Sequence, residues 1–136
     1  PDIKSNIQYT YVRSYCHIYT NNGKPLLLES TLSIRNTDPQ QALRIHKVKY
    51  YNSKGKLLRN YVENAFSIER LSSVEYINEK ANEDGGAGAF FVVLWSSENK
   101  RAKPIIESVM IESSAHKQIS FVSRGQTLPF DFKDID

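Results

Sequence analysis

Hydrophobic and polar residues alternate in short stretches along this chain, and turn residues close each stretch. Leu26, Leu28, Ser30, Leu32 and Ile34 share one face of an extended backbone, and Leu27, Glu29, Thr31, Ser33 and Arg35 share the other. A period of two marks a strand with one face buried. The same rhythm predicts a first strand or two over 7–19, and further strands over 43–51, 56–62, 73–78, 105–113 and 118–123. Asn52-Ser53-Lys54-Gly55 joins two of them as a hairpin, with Gly55 suited to a left-handed turn position. Asn21-Asn22-Gly23-Lys24-Pro25 and Asn36-Thr37-Asp38-Pro39 are turns for related reasons. Residues 89–95 are apolar on both faces, which predicts a central strand. No stretch carries helical periodicity beyond about two turns.

Short strands spaced by turns predict an all-β fold, an antiparallel immunoglobulin-like β-sandwich of about 7–9 strands. The chain reads as one domain over 1–136, with its core over about 7–125 and an irregular tail over 126–136. Its 136 residues suffice for one core, and 40% hydrophobic with 24% charged residues is an ordinary globular balance. No apolar run reaches the roughly 20 residues of a membrane helix, so no transmembrane segment is expected. Pro1-Asp2-Ile3-Lys4 lacks the basic and apolar regions of a secretory signal. Cys16 is the sole cysteine, which excludes an intrachain disulfide and a thiolate zinc cluster.

Charge is uneven although the net value is only +3. No acid lies between Asp38 and Glu63, a stretch that carries Arg44, Lys47, Lys49, Lys54, Lys56 and Arg59. Lys47, Lys49, Lys54 and Lys56, interleaved with Tyr50 and Tyr51, could hold an anionic surface. The same lysines could instead guard a sheet edge against pairing. Arg124, just before Gly125, could grip a carboxylate or phosphate with its planar fork, or form a structural ion pair.

Other chemistry finds less support. His17, His116 and Met110, with Cys16, are soft donors of the kind copper takes, yet their spacing forms no motif, and no cofactor is expected. Ser113-Ser114-Ala115-His116 lacks a nucleophile elbow. Asp84-Gly85-Gly86-Ala87-Gly88 is followed by a strand, not by the helix a phosphate loop needs, so its glycines read as a turn. Alternation sets Glu107 with Val109 and Ile111, where a buried charge would need a partner. The eight tyrosines suit an interface, and a homodimer is plausible on that ground.

Several blocks resemble one bacterial family. They are Tyr15-Cys16-His17-Ile18-Tyr19, Thr31-Leu32-Ser33-Ile34-Arg35-Asn36-Thr37-Asp38 and Val48-Lys49-Tyr50-Tyr51-Asn52-Ser53-Lys54-Gly55-Lys56-Leu57-Leu58. Gly86-Ala87-Gly88-Ala89-Phe90-Phe91-Val92 and Ile119-Ser120-Phe121-Val122-Ser123-Arg124-Gly125 complete the set. Together they resemble an uncharacterised domain of unknown function, whose members are mostly exported or lipid-anchored. The resemblance implies a periplasmic or otherwise exported protein, with any lipid anchor carried ahead of Pro1. It implies no catalytic residue. The expectation is a non-enzymatic envelope module that binds a protein or an anionic envelope component rather than nucleic acid. The alternative is a small-ligand or metal-binding periplasmic carrier.

Overall fold

The computed structural model describes residues 7–19, 22–78, 86–112 and 119–129. Within them the chain is all-β, with eleven strands in two antiparallel sheets and no helix. In chain order the strands are β1 (Gln8–Arg13), β2 (His17–Tyr19), β3 (Pro25–Arg35), β4 (Leu43–Tyr51), β5 (Leu57–Asn60) and β6 (Phe66–Ile68). They continue with β7 (Ser73–Asn78), β8 (Phe90–Ser96), β9 (Ile105–Glu112), β10 (Ser120–Arg124) and β11 (Gln126–Leu128).

One sheet has six strands in the order β11-β1-β8-β4, and both β5 and β6 pair with β4. The other has five in the order β10-β9-β3, and both β2 and β7 pair with β3. The alternation seen in sequence sets the faces. Leu32 and Ile34 of β3 point inward, to meet Val12, Ile45, Val48, Phe91 and Val93 from the opposite sheet in one core, and Leu28 is buried on the same face. Each such side chain contributes about 1.5–3 kcal/mol over its exposed state. Strand β8 lies between β1 and β4, as its apolarity on both faces predicts.

Three expectations need correction. Residues 126–128 are not irregular: Gln126, Thr127 and Leu128 form β11 on the edge of β1. The strand count exceeds nine because β2, β6 and β11 hold three residues each, too few to display a period. The face of Glu107 is the outer one, so Glu107 is half-exposed, and the acid turned inward from β9 is Glu112.

Backbone bonds hold the chain where it changes sheets. Between β1 and β2, Ser14 N–H donates to Ala89 O at 3.0 Å and Cys16 N–H to Gly86 O at 3.1 Å. Between β10 and β11, Gly125 N–H donates to Ile106 O at 2.6 Å. A Cβ on Gly125 would lie 2.7 Å from that oxygen and 2.7 Å from Thr10 Cγ2.

Candidate functional site

The residues singled out from sequence fall in different places. A bulge between Ile45 and Lys47 shifts the alternation of β4, so Val48 and Tyr50 face the core while Lys47, Lys49 and Tyr51 face outward. Tyr50 is therefore no part of a surface patch. Its hydroxyl lies 3.0 Å from Cys16 Sγ, and its ring packs on Phe91 with centroids 4.9 Å apart. Tyr51 stacks on Phe90 at 5.1 Å in a small outer cluster with Tyr9 and Val92, where Lys49 is also buried. Lys54 and Lys56 are exposed at the hairpin turn. Strand β4 is flanked on both sides, so Lys47 and Lys49 do not guard an edge.

Candidate metal donors are not assembled among the described residues. Met110 is fully buried on the inner face of β9. His17 is half-exposed on β2 with Nε2 3.2 Å from the Tyr19 hydroxyl. His116 lies outside the described residues. Arg124 is exposed on the outer face of β10, directly across from Glu107.

The structure brings together a site that sequence reasoning missed. At one end of the sandwich, where β8 ends, a cleft of about 460 Å³ is lined by Trp95, Gln8, Thr127, Asn99, Lys100 and Lys103, among others. Among the described residues no carboxylate lines it. Trp95 forms its floor, because the indole is held in place: Nε1–H donates to Thr10 Oγ1 at 2.9 Å, and that hydroxyl lies 3.0 Å from Thr127 Oγ1. This chain of bonds ties β8, β1 and β11 together.

The rim of the cleft is the loop over residues 97–104, and it is pinned from behind. Asn99 Nδ2 donates to Asp38 Oδ2 at 2.8 Å, and Thr37 Oγ1 donates to Lys103 O at 2.9 Å. Asp38 is held below the usual carboxylate range, first by the Asn99 amide and then by the backbone N–H groups of Gln40 and Gln41. Nearby, His46 Nε2 sits 2.7 Å from Ser96 Oγ, and burial, helped by Arg44, lowers its pKa. A preformed concavity with an aromatic floor, amide and hydroxyl groups and two ammonium groups can hold a polar anion.

A family model described as "Protein of unknown function (DUF3124)" matches residues 7–128. The chain belongs to the DUF3124 family. No curated protein matches it. Among solved structures it is similar to "Crystal Structure of Thermotoga maritima 1070", with a TM-score of 0.51 and 11% identity over 89% of this chain and 92% of that one. At that identity the likeness concerns the fold alone. All described lining residues of the cleft of this DUF3124 chain lie inside the matched span. Its one sequence signal was Trp95, a large aromatic at a strand end beside the polar stretch 96–103.

Proposed function

We propose that this protein is a non-enzymatic binding module of the bacterial cell envelope, and that it holds an anionic envelope component at the cleft over Trp95. The observation that carries the reading is the lining: Lys100 and Lys103 with Asn99, Gln8 and Thr127, and no opposing carboxylate among the described residues. Two ammonium groups on a pinned rim favour a ligand with carboxylate or phosphate groups. The amides and hydroxyls favour one that also bears hydroxyls, such as the end of an acidic glycan or a phosphorylated polyol. Trp95, almost wholly buried, offers such a ligand a small apolar patch on the floor. The exposed Lys54 and Lys56 are a second, unshaped source of positive charge.

The test is an NMR titration of the full chain with a glucuronate oligosaccharide and, separately, inorganic phosphate. Saturable shifts of the Trp95 indole N–H and of loop 97–104 are expected, weakened at least about tenfold in Lys100→Ala/Lys103→Ala and by added salt. No saturable shift with either probe, or equal affinity in the double variant, would overturn the assignment.

A further inference from the structure

The outer face of the five-stranded sheet is unlike the rest of the surface. Register across four strands places Val122 beside Val109, Val109 beside Thr31, and Thr31 beside Ile77. All four lie on the outer face, and they form a continuous row of β-branched side chains. Ile77 is 64% exposed, Val122 54%, Ile105 49% and Ile111 43%. These are four of the most exposed aliphatic residues among those described, and they share one face. Single exposed aliphatics need no explanation, but four on one face, two of them joined by a β-branched row, mark a contact surface.

We infer that this face packs against the same face of a second copy, about a two-fold axis running along the strands between β9 and β3. The next row decides the orientation. It reads Arg124, Glu107, Ser33 and Glu75 from β10 to β7. A two-fold axis along the strands sets β10 of one copy over β7 of the other, so Arg124 meets Glu75 twice. Val122 then meets Ile77, and Val109 meets Thr31. An axis across the strands through the Val122–Ile77 row would set Arg124 over Ser120, Glu107 over Ile111 and Ser33 over Glu29, pairing no opposite charges. Isologous contact through a self-complementary patch is the commonest form of oligomer.

Size sets the expected strength. Four strands span about 19 Å, and the eight residues of β9 span about 26 Å. Two such faces cover roughly 1,000 Å², the lower bound for a specific interface, so the dimer is expected to dissociate in the micromolar range.

Arg124 and Glu75 also supply the test. Within one copy three strand spacings, about 14 Å, separate them, too far for an ion pair. Any coupling between them must therefore cross the interface. Sedimentation velocity on the full chain from about 1 to 500 µM should show a monomer–dimer equilibrium. Arg124→Glu and Glu75→Arg should each weaken it by about tenfold, and the double reversal should restore it. Val122→Lys should abolish it while thermal unfolding stays unchanged, because that side chain faces solvent in the monomer. A chain monomeric throughout, single reversals without effect, or a double reversal that fails to rescue would each overturn the inference.

Discussion

Asn36 shows how one polar side chain can hold several loops. It follows β3 and is 3% exposed. Its Nδ2 donates toward Gln41 O at 2.9 Å, Ile68 O at 3.1 Å and Glu69 O at 3.2 Å, while its Oδ1 accepts from Asp38 N–H at 3.0 Å. Asp38 continues the network, since its Oδ1 accepts from the backbone N–H groups of Gln40 and Gln41 and its Oδ2 holds Asn99 at the cleft rim. An Asn36→Ala change would remove three bonds to loop carbonyls at once and leave the buried Ile68 carbonyl without this partner. The expected loss is about 2–3 kcal/mol, read as a lower urea midpoint. A loss under about 0.5 kcal/mol would mean that water reaches those carbonyls and that Asn36 organises nothing. Because the Asp38 pKa is lowered in the fold, its contribution is present above the unfolded carboxylate value and fades as pH falls through the folded one.

Among the elements, Gly125 fixes where β10 leaves one sheet and β11 joins the other. Gly125→Ala would drive its Cβ against a backbone oxygen and a packed methyl group, both at 2.7 Å. Neither is the free end of a flexible chain, so a cost of about 2–3 kcal/mol is expected in thermal unfolding. Wild-type stability in the variant would show that the crossing can shift. Gly86 is similar: φ is +82°, and a Cβ there would lie 2.6 Å from Ser53 Oγ. The glycines near 86–88 thus allow backbone to approach the hairpin turn, and Gly88 N–H donates to Ser53 Oγ at 2.7 Å. The turn-forming role of these glycines was legible in sequence, and so were β3, β7 and β8, whose length or two-sided apolarity makes a local pattern. Strand β11 was not, because Gln126-Thr127-Leu128 holds one apolar residue in three. The bulge in β4 was hidden for a different reason. One extra residue reverses the alternation, so strict period two would have placed Ile45 with Lys47 rather than with Val48. The cleft depends on Asn99 reaching Asp38, 61 residues away, and no local pattern encodes such a contact.

On the scale of the whole molecule, three of the eight tyrosines help to hold the two sheets together. Tyr50 and Tyr61 from one side pack on Phe91, and Tyr76 from the other packs on Tyr61, with Tyr61 and Tyr76 5.6 Å apart and Tyr61 and Phe91 5.7 Å apart. Burial raises the pKa of all three above the usual phenol value, and for Tyr50 the hydrogen bond to Cys16 adds to it. The consequence is a vulnerability to alkali. Above about pH 10 the unfolded chain loses phenolic protons that the folded chain keeps, so folding stability falls as pH rises. Tyr50, fully buried, should contribute a slope of about 1.4 kcal/mol per pH unit. Tyr61 and Tyr76 are half-exposed and should contribute less, because solvent screens them. Urea unfolding at several pH values from about 9 to 11 should therefore show a steepening loss. Tyr50→Phe, though less stable at pH 7 for want of its hydrogen bond to Cys16, should lose stability more gently over the same range. If its slope matched that of the wild type, the Tyr50 phenol would be ionising as freely in the fold as out of it, and the sandwich would be open to water at its centre.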